Sequence, residues 1–356
     1  MKPFILIGLT PQGLSMLRLL SRAGYKVIAF TNTKSAVGYG SKYGEKYVFN
    51  SIEDLKTRIT KITGEYEGKL HCIITSGELL SFVLNGYPEL YDLCEVQSGP
   101  LELIKMLSNK KKMYEFAASK GLNCAKHTIL RDYVSGELSF PVILKRNIEV
   151  PLFFKTKKIE SEEELTRFML KIERHNFQHI LVQEYITIEK FKEISIQAYL
   201  HQGEMKGCFL CYQERRLSSG ITSFLKEVKE PDVLAMVTEK TRTFFSNTGY
   251  TGFCELEFIY DLNTRDLHFI EVNTRACGLH SVLNKKFSNL QEVLLHIDNP
   301  PELESRSGTI SWINVGRDVK ARIQKKDIKN LLQFFTSKHD IWDINDLKPF
   351  FYQIIK

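Results

Sequence analysis

The chain has 356 residues, of which 43% are hydrophobic and 26% charged, with a formal net charge of +7. This is the composition of a soluble globular protein of two or three domains, and no apolar run approaches the ~20 residues of a membrane span. Basic runs such as Lys110-Lys111-Lys112 are too short for a nucleic-acid-binding tail, so an anionic small substrate accounts for the excess charge. The seven cysteines have no framework spacing, which predicts reduced thiols in the cytoplasm.

In chain order, Phe4-Ile-Leu-Ile7 reads as a short buried strand rather than a leader peptide. Gly8 to Gly13 lead into a helix with Leu14, Leu17 and Leu20 inward and Gly24 as its stop. Val27–Phe30, Tyr47–Phe49 and Cys72–Thr75 continue as strands, with a helix near Ile52–Ile62, giving an α/β opening with a parallel sheet. Gly8 and Gly13 do not form GxGxxG and no acidic residue ends the second strand, which disfavours a dinucleotide site. Ser76-Gly77-Glu78 opens a helix at a strand's carboxyl end, where such sheets bind ligands, and Glu78 suits that helix N-terminus.

A helix over 109–120 is predicted, capped by Asn109 and closed by Gly121. Lys110 sits at its positive end, which implies either a nearby anion or a solvated charge run. Phe140–Lys145 is a strand ending in lysine. Ser161 and Glu164 form a capping box for a helix to about Ile172, and Ile180–Ile186 is a further strand. Glu193–Leu200 and Met205–Gln213 read as a hairpin around Gln202-Gly203, followed by Arg215-Arg216. Cys208 and Cys211 would point to opposite faces of that strand, against a metal or redox motif. Pro231–Asn247 is a helix. Pro300-Pro301 marks a boundary, beyond which lie about one strand pair and a helix, with Trp312 and Trp342.

The stretch 252–280 reads as two strands and a turn with period-2 alternation. Glu255 and Glu257 share one face; Glu271, Asn273 and Arg275 share another. Folding the arms together brings Glu257 beside Glu271 and Asn273. Two carboxylates and an amide oxygen suit a hard cation such as Mg²⁺, and an arginine two positions on suits a phosphate. A solvated hairpin face would show the same pattern.

Five motifs in order give the chain a family resemblance: Asn109-Lys110, Val142-Ile-Leu-Lys145, Leu181-Val-Gln-Glu-Tyr-Ile186, Glu193-Ile-Ser-Ile196, and Glu257–Asp261 with Phe269-Ile-Glu-Val-Asn-Thr-Arg275. Over roughly residues 1–290 the chain resembles the ATP-grasp carboxylate–amine ligases of the carbamoyl-phosphate-synthetase-like type. Ser41-Lys42-Tyr43 resembles the stand-alone ligases of surface-polysaccharide or small-peptide biosynthesis.

The resemblance implies an α/β plus α+β fold. Its parts would be an N-terminal parallel-sheet domain (1–108), a small lid subdomain (109–188), a larger antiparallel subdomain with the metal-binding hairpin (189–300), and a C-terminal extension (301–356). It implies that Lys110 and Lys145 contact the phosphates and adenine region of ATP. Gln183, with the backbone of Glu184, Tyr185 and Ile186, would read the adenine edge, and Glu193 would hold the ribose. Glu257, Glu271 and Asn273 would hold Mg²⁺ (or Mn²⁺), Arg275 the transferring phosphate, and Arg216 the substrate carboxylate. The implied reaction activates a small-molecule carboxylate as an acyl phosphate and joins it to an amine, with no nucleic acid or membrane as partner; a homodimer is one admissible assembly.

Three positions depart from the family pattern. Arg146–Lys155 contains no glycine where the lid has a glycine-rich loop, Thr274 stands for proline, and Asn109 for aspartate. The glycine-free lid motivates an alternative, an ATP-binding module of the same fold with weak or no catalysis.

Overall fold

The computed structural model describes residues 2–354 except Pro151, Ser219, Ile297 and Ile328. The chain forms two compact units. One comprises residues 1–101, 193–256 and 273–356; the other comprises residues 102–192 and 257–272.

In the first unit a five-stranded parallel sheet runs in the order Glu45–Val48, Val27–Thr31, Phe4–Ile7, Leu70–Ile74, Cys94–Val96. Phe4–Ile7 and Val27–Thr31 are buried throughout, as uninterrupted apolar strands must be when helices cover both faces. The helix Pro11–Arg22 starts with proline in its first turn and buries Leu14, Leu17 and Leu20, as the spacing predicts. Gly8 has φ +109°, and a Cβ on Gly13 would lie 2.1 Å from the Gly8 carbonyl oxygen. These two glycines therefore let the helix close down on the strand end.

The first unit also holds antiparallel strands. Phe191–His201 and Glu204–Arg216 pair as the expected hairpin, turning through Gln202 and Gly203 with φ 51° and 85°. Thr222–Glu227 and Ser311–Ile313 extend this sheet, and Lys338–His339 joins it in parallel. The C-terminal segment thus completes a sheet. Trp312 is buried in the main core and donates its indole N–H to Ser281 Oγ at 2.9 Å. Asp346 accepts from Arg18 Nε at 2.9 Å, from Ser41 Oγ at 2.6 Å and from the Lys42 N–H at 3.0 Å. Ser41-Lys42 thereby has a structural task in docking the tail.

The second unit is built on a four-stranded antiparallel sheet, in the order His127–Ile129, Ile180–Glu184, Val142–Arg146, Thr156–Ile159. The helix Glu162–Met169 covers it, capped by Ser161 Oγ on the Glu164 N–H. It ends three residues before the expected Ile172, and a 3₁₀ turn over Arg174–His179 follows. Val142, Leu144, Leu165, Phe168, Ile180 and Val182 form its core. The strand Gly252–Asp261 is that expected, whereas the second, Leu267–Asn273, stops before Arg275 and a 3₁₀ turn over Gly278–Val282 follows; Asp261 Oδ1 accepts from the Asn263 and Thr264 N–H groups in the turn between the strands. Alternating burial holds from Leu256 onward, but residues 252–256 are buried on both faces, Glu255 included.

Candidate functional site

In the second unit, the helix Lys110–Ser119 presents two residues of one face, Lys110 and Tyr114. Its first turn is saturated by asparagines. Asn109 Oδ1 accepts from the Lys112 N–H at 3.1 Å, Asn147 O from the Lys110 N–H at 2.8 Å, and Asn147 Oδ1 from the Lys111 N–H at 2.9 Å. Lys110 is not part of a solvated run: its ammonium lies 3.0 Å from Glu271 Oε2. Burial would lower the Lys110 ammonium, but Glu271 outweighs it and holds that pKa above the usual lysine value. Lys110 in turn holds the Glu271 carboxyl well below the usual carboxylate range.

Lys145, the last but one residue of the strand Val142–Arg146, donates to Tyr114 Oη at 2.9 Å and to Gln183 Oε1 at 2.8 Å. Burial, and then the like charge of Lys110, bring its pKa down to about 8 against the opposing pull of Glu271 and Glu257. Tyr114 donates its hydroxyl to the Ile270 carbonyl at 2.6 Å. Gln183 is 3% exposed, and its amide nitrogen lies near the Tyr114 hydroxyl without reaching hydrogen-bond geometry with any acceptor. A buried donor left this way costs about 1–3 kcal/mol and is a natural place for a ligand acceptor. Glu184 accepts from the Ser139 N–H at 2.8 Å, while its own N–H goes to the Lys126 carbonyl. Tyr185 is exposed, with the Lys158 ammonium 4.7 Å from its ring centre, and Ile186 is half-buried.

The glycine-free segment after Lys145 is strapped by side chains. Arg146 donates to the Phe154 carbonyl at 2.9 Å and the Val150 carbonyl at 3.2 Å, and Phe154 packs edge-on against Phe168. Pro151 lies outside the described residues.

In the first unit, Glu193 Oε2 lies 2.6 Å from Arg216 Nη1, and Arg216 also donates twice to Gln213 Oε1, at 3.0 and 2.7 Å. Burial raises the Glu193 carboxyl, with Arg216 opposing. Arg215 is buried, its fork occupied by Asp318 at 2.5 Å and Gln333 at 2.9 Å. Asn273 donates to Glu255 Oε2 at 3.1 Å and accepts from Arg275 Nη2 at 3.0 Å. The Arg275 guanidinium lies over the first turn of the helix Gly77–Gly86, where a Cβ on Gly77 would come within 3.1 Å of it. Ser76 caps that helix on the Leu79 N–H.

The structure thus joins Lys110 to Glu271, Lys145 to Gln183, Glu193 to Arg216, and Asn273 to Arg275. Among the described residues no group of three or more His, Cys, Asp or Glu is placed to hold a metal; the predicted set of two carboxylates and one amide does not call for such a group. Tyr114 and Asn147 escaped the sequence reading, and Glu255, placed there on the face of Glu257, was given no role. Only Tyr114 carried a readable signal, its i+4 spacing from Lys110.

No family model matches the chain. In sequence it is 25% identical over 191 residues to a carbamoyl-phosphate synthase of Methanobrevibacter smithii, covering 51% of this chain and 50% of that protein. The chain therefore spans about half the length of that relative. In structure it superimposes on the ADP complex of N5-carboxyaminoimidazole ribonucleotide synthetase with a TM-score of 0.72 at 15% identity, over 91% of this chain and 85% of that one. The chain has the ATP-grasp fold.

Other ATP-grasp structures agree. The L-amino acid ligase of Bacillus licheniformis gives a TM-score of 0.63 at 17% identity, covering 85% of this chain and 75% of the ligase. The biotin carboxylase domain of Hydrogenobacter thermophilus 2-oxoglutarate carboxylase, crystallised with MgADP, ADP and bicarbonate, gives 0.60 at 18%, covering 79% and 66%.

Proposed function

We propose that this chain is an ATP-dependent carboxylate–amine ligase. The observation that carries the reading is the set in the second unit: Lys145 bonded to Gln183, the Gln183 amide nitrogen without an acceptor, and Lys110 paired with Glu271. Such a set offers cations for phosphates and a buried donor for a base edge. Lys110 and Lys145 would bind phosphate oxygens. Gln183 and the Glu184–Ile186 backbone would meet adenine, and Glu193 the ribose. The oxygen donors of Glu257, Glu271 and Asn273 fit Mg²⁺ or Mn²⁺, which commonly takes only one or two carboxylates from the protein and completes its shell with phosphate and water. The ion would neutralise phosphate charge.

In this reading a carboxylate oxygen of the substrate attacks the γ-phosphorus and ADP leaves. The amine lone pair then attacks the acyl carbon, the C–O bond to phosphate breaks, and the amine gives up a proton to the medium. Arg275 would hold the transferring phosphate and Arg216 the substrate carboxylate. Arg216 must first exchange its contacts to Glu193 and Gln213 for that role. Small-molecule acid and amine substrates fit the resemblance. A place in surface-polysaccharide or small-peptide synthesis rests on Ser41-Lys42-Tyr43, whose docking of Asp346 does not discriminate between routes. Free cysteines fit a cytoplasmic location. A second reading, a nucleotide-binding module without turnover, is favoured by the glycine-free lid and the mutual engagement of Glu193 and Arg216.

Incubating the protein with Mg-ATP and a panel of acids and amines, with ADP release as readout, tests the proposal. Turnover that is lost in Glu271→Gln supports it. ATP binding by calorimetry with no turnover on any pair would favour the second reading, and no ATP binding would sink both.

A further inference from the structure

Glu255 is 4% exposed in the strand that also carries Glu257. Each of its oxygens has a protein partner. Oε1 accepts from Ser195 Oγ at 2.5 Å and from Gln197 Nε2 at 2.6 Å, and Oε2 accepts from Asn273 Nδ2 at 3.1 Å. Gln197 Oε1 in turn accepts from the Cys277 thiol at 3.2 Å. A buried carboxylate is tolerated only when its lone pairs are met in this way.

The consequence falls on Asn273. Its amide lies between an acceptor-only carboxylate, Glu255, and a donor-only guanidinium, Arg275. Only one orientation satisfies both: nitrogen toward Glu255, oxygen toward Arg275. The reversed amide would set N–H groups against the guanidinium and oxygen against the carboxylate. Glu255 thus fixes which atom of Asn273 is offered to a cation. An amide can bind Mg²⁺ only through oxygen, because its nitrogen has no available lone pair.

We infer that Glu255 is a positioning residue that locks the Asn273 amide with its oxygen presented for metal and Arg275. The inference rests on the proposed function for the identity of the ion, and on the hydrogen bonds alone for the lock. It adds to the site a carboxylate that does not itself bind the ligand.

The test exchanges donor for acceptor. In Glu255→Gln the acceptor-only partner is lost: a second amide can face Asn273 with its N–H group, and only the Arg275 contact is left to orient Asn273. Mn²⁺ binding in the presence of ADP, followed by electron paramagnetic resonance, should weaken about 10–100-fold, as expected when a ligand's supporting partner is lost. Asn273→Asp alone sets carboxylate against carboxylate and should lower the thermal midpoint. Combined, Glu255→Gln and Asn273→Asp restore a donor facing an acceptor and leave an oxygen outward, so both Mn²⁺ binding and the thermal midpoint should recover. Ser195→Ala, which touches only the other oxygen of Glu255, should leave Mn²⁺ affinity near wild type. The inference is overturned if Glu255→Gln binds Mn²⁺ like wild type, or if the double variant is no better than the worse single one in both readouts. Failure of the wild-type protein to bind Mn²⁺ with ADP would instead sink the proposed function, while the thermal midpoints still decide the lock.

Discussion

The Lys110 ammonium and the Glu271 carboxylate lie 3.0 Å apart, joining a helix N-terminus to the strand Leu267–Asn273 across 161 positions of sequence. A cation at a helix N-terminus is unfavourable by itself. Here Glu271 neutralises it, and the proposed ATP chemistry would use both members of the pair.

Glu271→Gln should therefore separate stability from function. The side chains are 28% and 34% exposed, so the ion pair is worth only about 0.5–1 kcal/mol. The thermal midpoint should fall by a few degrees at most. ADP formation should fall at least about 100-fold, the scale seen when an electrostatic contact to a transition state is removed. A large loss of stability with activity retained would refute the assignment.

The Lys145 pKa of about 8 predicts how nucleotide affinity varies with pH. A phosphate binds the ammonium form, and that form is lost in the free protein as pH rises through about 8. Calorimetric affinity for ATP should be level between pH 6.5 and 7.5 (about the lower plateau) and weaken by up to roughly tenfold per pH unit above about 8. Lys145→Met should bind ATP more weakly at neutral pH and show no such slope. A slope unchanged in that variant would remove Lys145 from the phosphate site.

Asp346 should be the most sensitive position of the tail. The Arg18–Asp346 pair is 7% and 1% exposed at its side chains. Asp346→Ala leaves Arg18 buried without its carboxylate, and urea denaturation should register a loss of about 3–5 kcal/mol. Burial opposes ionisation of Asp346, but Ser41, the Lys42 N–H and Arg18 outweigh it and lower the carboxyl below its usual value. A depressed folded-state pKa gives stability that is present above the unfolded value, near 4, and lost as pH falls through the folded one. Asp346→Asn should flatten that acid limb; an unaltered limb would show that other carboxylates govern it.

Gly13→Ala tests the closure of the first helix on its strand. The added carbon would sit 2.1 Å from a backbone oxygen that cannot rotate away. A loss of about 3 kcal/mol or more in thermal or urea unfolding is expected, since overpacking against backbone has no side-chain relief. Gly24→Ala, at a position with open space, should be tolerated except for the cost of its φ of +88°.

Elements whose cause is local were readable in the sequence. Leu14, Leu17 and Leu20 announce a helix face by spacing alone, and Asn109 and Ser161 cap the helices they precede. The ligand-like residues were readable as types but not as pairs. Nothing near Lys110 in sequence points to Glu271 or Asn147, and nothing near Arg216 shows that Glu193 and Gln213 already hold it. Glu255 was misleading for a physical reason. Alternation assigns a polar strand residue to water, whereas its partners Ser195 and Gln197 lie 60 and 58 positions away. The predicted helix to Ile172 ran past its true end, Met169, because Leu170 and Ile172 still fit an apolar pattern that the chain uses in a turn.

Arg18 and Asp346 are separated by 328 positions, so the helix Pro11–Arg22 meets its partner only after 328 further residues have been made. At about 5–20 residues per second, the arginine waits roughly 15–65 s on the ribosome with its binding site unmade. During that interval the opening strands and helix carry a cation destined for burial and no carboxylate to receive it. Completion of the first unit therefore waits on residue 346, and a message truncated shortly before codon 346 would yield a chain lacking the residue that lets its beginning settle.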